Sequence, residues 1–173
     1  MSIDQDANSQ VAPDYVELFI LDLTTIPGLG TSILYLTPSA GNTNTVIWGG
    51  NTFLPWPIEI DGIEHNSDGA PARPTLNVGN LDANKLIGTL VFGYSDIIGA
   101  KVDYIRTFEP YLGGAGEISM PRLKYLIGKK LAHDESVISF QLRSPLDKER
   151  AYYPNRQMLK RDFPGLGINK FIR

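Results

Sequence analysis

The chain has 173 residues, a formal net charge of −3, 42% hydrophobic residues and 20% charged residues, which is ordinary usage for one globular domain or one domain with a smaller lobe. Its 16 basic residues are outnumbered by 19 acidic ones and form no long run, which argues against nucleic-acid binding because that requires a basic face. The absence of cysteine excludes disulfides, thiolate metal sites, iron–sulfur clusters and cysteine nucleophiles.

The N-terminal residues and the apolar runs indicate neither export nor membrane insertion. Residues 1–13 are polar and acidic, and they lack the basic and apolar regions of a secretory signal. The longest apolar stretches, 16–23 and 86–92, are far shorter than the roughly 20 residues of a membrane helix. We therefore expect a soluble protein that inserts no segment into a membrane.

The first part of the chain predicts short strands joined by turns. Residues 15–23 (YVELFILDL) are rich in β-formers and apolar on both faces, which predicts a central strand. The turn PGLG at 27–30 precedes a returning strand over 31–37, and a short strand over 45–48 is followed by a Gly-Gly-Asn turn. The run FLPWPIEI at 53–60 contains two prolines, so it predicts an edge strand or an extended arm.

The middle of the chain predicts a strand followed by the one convincing helix. Residues 73–81 alternate in hydrophobicity and predict a strand. The helix is expected over 83–93, with Asp82 as its N-cap. Gly88 weakens this helix because glycine has a low helix propensity, and Gly93 is placed to end it.

The last part of the chain predicts a strand, a hairpin and a tail. Residues 101–108 alternate as a strand does, and a glycine-rich loop follows at 109–116. The runs 121–131 and 135–143 are joined by only three residues and predict a long antiparallel hairpin. From Pro154 onward the sequence predicts one short helix and then an irregular end.

Together these elements predict a mostly β fold with one or two short helices, as an antiparallel β-barrel or a sandwich-like domain with extended terminal arms. The expected organisation is a flexible arm at 1–14, a β-rich domain at 15–150 and an extended tail at 151–173. The β-rich domain forms one lobe, or two lobes split near 82–100. Helices and strands do not alternate regularly, which argues against a nucleotide-binding Rossmann fold.

The polar residues show no catalytic pattern. The two histidines, His65 and His133, lie in polar loops and are too few for a zinc site in a chain without cysteine. No serine occupies a Gly-x-Ser-x-Gly elbow, and the Gly113–Gly116 loop lacks the lysine of a phosphate-binding loop. The acidic residues available as paired carboxylates for glycoside hydrolysis are Asp22, Glu59, Asp61 and Glu64.

Three aromatic residues, Trp48, Phe53 and Trp56, lie close together in the sequence. They are candidates for a sugar-stacking platform, which would make the chain a carbohydrate-binding module. Aromatic residues in such a cluster more often anchor a core or a subunit contact, because their large apolar surface is stabilised by burial.

Three segments together resemble a known family. The first begins at Trp48 and continues through a glycine turn to an aromatic-proline strand, the second is RPTLNVGNL at 73–81, and the third is PLDKERAYYPNRQML at 145–159. In this order the segments are similar to the tail tip protein L family of lambda-like phages. The residues that carry the resemblance are Trp48, Arg73, Pro74, Thr75, Leu76, Val78, Asn80, Leu81, Pro154, Arg156, Met158 and Leu159.

The resemblance implies a structural virion protein of the distal tail tip or baseplate hub of a long-tailed phage, without enzymatic activity. It implies a homotrimer around the tail axis, with the distal tail ring on one side and the central hub or receptor-binding protein on the other. It also implies assembly in the host cytoplasm, with no nucleic-acid partner. Longer family members continue into a cysteine-rich part associated with an iron–sulfur cluster, but this chain has no cysteine, so we expect no cofactor and no metal.

Two alternatives from other functional classes stay open at this point. A tail-associated cell-wall hydrolase would need paired carboxylates or a metal triad in one cleft. A carbohydrate-binding module would need Trp48 and Trp56 exposed side by side.

Overall fold

The computed structural model of the chain describes residues 14–39, 44–63, 73–80, 86–113 and 118–147, together with Ile3. In these ranges the chain forms nine strands, one α-helix and two short 3₁₀ helices, at Ser95–Ile97 and Glu109–Tyr111. The longer elements are β1 (Tyr15–Asp22), β2 (Ile33–Pro38), β3 (Val46–Trp48), β4 (Asn51–Trp56), β5 (Ile58–Asp61), β6 (Thr75–Gly79), α1 (Leu86–Gly93), β7 (Lys101–Phe108), β8 (Leu123–His133) and β9 (Val137–Arg143).

The nine described strands form one sheet in the order β3-β4-β2-β1-β7-β8-β9-β6-β5. All neighbouring strands are antiparallel except β2 and β4, which run parallel. The sheet is not closed into a barrel. The prediction of a mostly β fold with a helix is therefore confirmed, and of its two architectures the sandwich-like one fits.

The central position of β1 explains why both of its faces are apolar. On one face Phe19 and Leu21 belong to the main core, which also receives side chains from β2 and from β5 through β9. On the other face Leu18 packs with Trp48 and Phe53 of the β3–β4 hairpin. The prediction of a central strand is confirmed, because a strand that is covered on both sides must be apolar on both sides.

The prediction for the segment with two prolines was only half right. Pro57 divides it into β4, which lies between β3 and β2, and β5, which ends the sheet beside β6. Pro55 lies opposite Thr37 in the parallel ladder to β2 and beyond the last pair of the β3–β4 ladder, Val46 and Phe53, so no described ladder to β3 needs an N–H from it. Pro57 lies between the two strands, and β5 also packs beside β2. One continuous segment therefore forms two strands that are far apart in the sheet order but close together in space.

The helix α1 packs against the main core. Ile87 and Val91, one turn apart, are both buried in that core. The helix ends at Gly93, as predicted. The predicted N-cap, Asp82, and the rest of 81–85 lie outside the described residues.

The long hairpin predicted near the C-terminus is confirmed as β8 and β9. The alternation of β9 is visible in its burial, since Ile138, Phe140 and Leu142 are buried and the residues between them are not. The strand β8 continues through His133, which the sequence had placed in the connecting loop. The terminal segments 1–13, apart from Ile3, and 148–173 lie outside the described residues, so the arm, the tail and the domain boundaries stay predictions.

Candidate interaction surfaces

The described polar residues do not gather into a metal site. Within the described ranges no group of three or more histidine, cysteine, aspartate or glutamate side chains is placed to hold a metal ion. His133 lies at the end of β8, and His65 lies outside the described residues. In the same part of the chain, no helix has both the length and the hydropathy needed to cross a membrane.

Two of the four acidic candidates for hydrolysis, Asp22 and Asp61, accept hydrogen bonds from neighbouring side chains. Asp22 accepts hydrogen bonds from the Thr24 hydroxyl at 2.6 Å and the Lys101 ammonium at 3.4 Å. The Thr24 hydrogen bond is the main reason that the pKa of Asp22 is below its ordinary value. Asp61 accepts from the Asn77 amide at 3.1 Å.

These carboxylates are also distributed over strands that do not pair with each other. Asp22 ends β1, whereas Glu59 and Asp61 lie on β5, at the far end of the sheet order. The fourth candidate, Glu64, lies outside the described residues. The structure therefore does not bring Asp22 together with the other two as a carboxylate pair on neighbouring strands.

The two tryptophans serve the fold and do not form a shared exposed platform. Trp48 is 2% exposed, and the guanidinium of Arg122 lies 5.3 Å from the centre of its ring. Trp56 packs against the main core, and its indole N–H donates to the Gly79 carbonyl at 2.8 Å. These contacts and the burial of Phe53 agree with the interpretation that the aromatic cluster anchors the core.

The family-like segment 73–81 has a structural role in the described residues. Leu76 and Val78 of β6 are buried in the main core. The buried Asn80 accepts a hydrogen bond from the backbone N–H of Gly88 in α1 at 3.1 Å. Its own backbone N–H donates to the Ser136 carbonyl at 2.7 Å. This segment therefore joins the sheet, the helix and the β8–β9 turn.

The first residues of the segment 73–81 bind the end of β9 and the residues that follow it. The Pro74 carbonyl accepts from the Leu142 N–H at 2.8 Å, and the Arg73 guanidinium pairs with the Asp147 carboxylate at 2.9 Å. Thr75 is placed between β5 and β9 in the ladder. The remaining residues of the resemblance lie outside the described residues, namely Leu81, Pro154, Arg156, Met158 and Leu159.

The most exposed large apolar side chain among the described residues is Phe92, at 90% exposure. It lies on α1 beside a wide groove of about 700 Å³ between the helix and the β8–β9 turn, where Asp134 and Glu135 are acidic. We call this region the Phe92 groove. This groove was not predicted from the sequence. A signal for it was present, because Phe92 does not follow the helical spacing of the buried pair Ile87 and Val91 and is therefore expected on another face of the helix.

A second groove lies at the end of the sheet where β1, β5 and β9 begin and β2 and β6 end. It consists of two adjoining cavities of about 490 and 420 Å³ that share Glu17 and Pro38. We call it the seam groove, because it includes Pro57, where the chain passes between β4 and β5. No signal in the sequence predicts this groove, since it depends on tertiary pairing.

One carboxylate of the seam groove is held in a defined position. Glu17 accepts a hydrogen bond from the Tyr104 hydroxyl at 2.6 Å. Burial of the Tyr104 side chain, and second this hydrogen bond to Glu17, raise the pKa of the Tyr104 phenol strongly. The pair therefore holds Glu17 in place at the groove, and it is not an exposed acid–base site because Tyr104 is buried.

Among the described residues, polar side chains join elements of the fold, and the large apolar side chains Phe92, Ile47 and Leu54 are exposed. The family model described as phage minor tail protein L matches residues 28–164, well over half of the chain. The chain therefore belongs to the phage minor tail protein L family.

One curated relative supports the same assignment. The chain is 24% identical to tail tip protein L of Escherichia phage lambda over 161 residues. The match covers 83% of this chain and 64% of the relative. The chain thus matches somewhat less than two thirds of the lambda protein.

Proposed function

We propose that this protein is a structural subunit of the distal tail tip of a long-tailed phage, where it links the distal tail ring to the central hub or receptor-binding protein. The observation that carries the proposal is the family match over residues 28–164. In this role the protein binds other tail proteins by surface complementarity and turns over no substrate.

The proposed subunit acts as a homotrimer around the tail axis and is assembled in the host cytoplasm. Exposed apolar side chains support a role in subunit contacts, because burying them against a neighbour stabilises a complex. Phe92 on α1 and the pair Ile47 and Leu54 on the β3–β4 hairpin are each at least half exposed. They supply apolar contact area on two different elements of the domain.

The proposal includes no cofactor. An iron–sulfur cluster of the kind that the family resemblance suggested for longer members is held by cysteine thiolates, and this chain has no cysteine. We propose that the chain carries the part of the tail-tip function that depends on protein contacts alone.

Electron microscopy of purified particles tests the proposal. A small tag on this subunit is expected to mark the distal end of the tail, with three copies around the axis. A tag density elsewhere in the particle, or its absence from intact tails, would contradict the tail-tip role, and six copies would contradict the trimer. Incubating the purified chain with peptidoglycan tests the hydrolase alternative, and we expect no release of fragments.

A further inference from the structure

The seam groove combines apolar surface with acidic side chains. Its apolar surface includes Pro38, Pro57, Ile58 and Val137. No lysine, arginine or histidine is among its described lining residues. The carboxylates that line it are Asp14, Glu17, Glu59 and Glu109.

Three of these carboxylates determine the charge of the groove. Glu17 lies opposite Arg106 in the β1–β7 ladder, and its carboxylate already accepts a hydrogen bond from the Tyr104 hydroxyl. Asp14, Glu59 and Glu109 are exposed and take part in no ion pair found among the described residues. A segment that fits the groove should therefore carry both apolar and basic side chains.

The groove also follows a strand that ends the sheet. In the described ladders β5 pairs only with β6, although it also packs beside β2, and its residues Ile58 and Glu59 line the groove. An uncovered end strand invites pairing with other chains, and natural proteins commonly cover such edges with another part of the chain. The edge therefore favours an extended occupant that lies along it.

The charges of the chain are divided unevenly along the sequence. Residues 148–173 contain seven basic and two acidic residues, a net charge of +5, whereas residues 1–147 contain nine basic and seventeen acidic residues, a net charge of −8. Residues 1–13 contain two aspartates and no basic residue. Charge thus selects the C-terminal segment over the N-terminal one as an occupant of the acidic groove.

The C-terminal segment also has the apolar content and the length that the groove requires. It contains four aromatic residues, Tyr152, Tyr153, Phe163 and Phe171. The described chain ends at Asp147, beyond the end of β9 that lies far from the groove, and the seven residues of β9 span about 23 Å. The 26 residues that follow reach up to about 85 Å when extended.

We propose that residues 148–173 bind in the seam groove of their own chain, along the edge of β5. The covalent link favours this source, because tethering gives the segment an effective concentration of about millimolar at its own groove. Binding neutralises the exposed carboxylates and covers the end strand. This inference concerns the isolated subunit and does not depend on the proposed place of the protein in the tail.

Disulfide trapping in the full-length chain tests the inference directly, because the natural sequence has no cysteine that would interfere. One cysteine replaces Ser136 at the groove, and the second replaces Asn155, Gly165 or Asn169 in turn, which are neutral positions in the segment. The matched control pairs Ser136→Cys with Ser9→Cys in the acidic N-terminal segment. We expect at least one C-terminal pair to oxidise ten times faster than the control and to give a product of monomer mass.

Two further measurements test the electrostatic basis. The double change Glu59→Lys and Glu109→Lys is expected to slow trapping at least fivefold, with folding checked by circular dichroism. Raising the salt concentration to about 0.5 M should slow the fastest pair without any further substitution, because salt screens the charges. The salt measurement keeps the test decisive if the double variant Glu59→Lys and Glu109→Lys fails to fold.

Three results would overturn the inference. Trapping no faster than in the Ser9 control would show that the segment does not occupy the groove. A product of dimer mass alone would show that the occupant comes from a second copy. Fast trapping that responds to neither charge reversal nor salt would show that charge does not select the segment.

Discussion

The side-chain oxygen of Asn80 and the backbone nitrogen of Gly88 lie 3.1 Å apart in a buried hydrogen bond that joins the end of β6 to α1. The space beside residue 88 of the helix is filled by the Asn80 side chain, so a larger residue would have to displace it. A Cβ atom on residue 88 would lie 2.8 Å from the Asn80 amide nitrogen and 2.9 Å from its oxygen. The contact explains why a residue of low helix propensity is placed inside the only α-helix whose bounds the structure describes.

Gly88→Ala is therefore expected to destabilise the protein, although alanine favours a helix by about 1 kcal/mol over glycine. The steric conflict with Asn80 should outweigh that gain and leave a net loss of about 1–3 kcal/mol in the free energy of unfolding, measured by urea denaturation. The matched control is Gly93→Ala, because a Cβ on residue 93 meets nothing within 4 Å. A Gly88→Ala protein more stable than the natural one would contradict this account.

The Trp56 indole is expected to hold the β4–β5 segment against β6. Trp56→Phe keeps an aromatic ring but removes the N–H that donates to the Gly79 carbonyl at 2.8 Å. We expect a loss of about 1–2 kcal/mol in the free energy of unfolding, because the carbonyl is left without this partner. The amide of Gly79, which donates to the Pro57 carbonyl at 2.6 Å, should then exchange its hydrogen faster. Unchanged stability together with unchanged hydrogen exchange at the Gly79 amide would show that the indole contact does not hold the β4–β5 segment against β6.

The elements that the sequence predicts well are those whose burial repeats with a regular period. The alternation of Ile138, Phe140 and Leu142 predicts β9, and the two apolar faces of 15–23 predict a strand between two neighbours. Both depend only on which side chains a strand presents to each side of the sheet. The structure confirms both.

The features that the sequence does not predict depend on pairing between distant segments. The division of 53–60 at Pro57 follows from two different partners, β2 and β6, which no local pattern encodes. Gly88 was interpreted as a defect of the helix, because its contact with Asn80 exists only after the helix packs against the sheet. The two grooves are likewise formed by tertiary packing, so no local pattern in the sequence predicts their shape.

Tyr104 predicts a loss of stability at alkaline pH. Its pKa is raised in the folded protein, so the unfolded chain releases the phenol proton first, near pH 10. The stabilisation is therefore complete below about pH 10 and is lost as the pH rises above it. Tyr104→Phe keeps the ring that packs 5.1 Å from Phe19 and should flatten the dependence of stability on pH between about 9 and 11.

The comparison for this measurement is Tyr125→Phe. The pKa of Tyr125 is also raised, mainly by burial, but its hydroxyl has no carboxylate among the causes of the shift. We expect its replacement to flatten the same alkaline slope less than Tyr104→Phe does. The slopes are measured by chemical denaturation at each pH. Equal slopes for the natural protein and Tyr104→Phe would show that the pKa of Tyr104 is not raised in the folded protein.

A substitution at Phe92 can distinguish an effect on the stability of the fold from an effect on assembly. Because this side chain is 90% exposed, Phe92→Ser should change the free energy of unfolding by no more than about 0.5 kcal/mol. If the Phe92 groove is a subunit contact, the same change should reduce incorporation into tails at least tenfold, measured as the amount of this protein in purified particles. Phe92→Tyr, which keeps the aromatic ring, is the matched control and should assemble normally. Normal incorporation of the serine variant would remove the Phe92 groove from the proposed interfaces, and the exposed Ile47 and Leu54 of the β3–β4 hairpin would be the next surface to test.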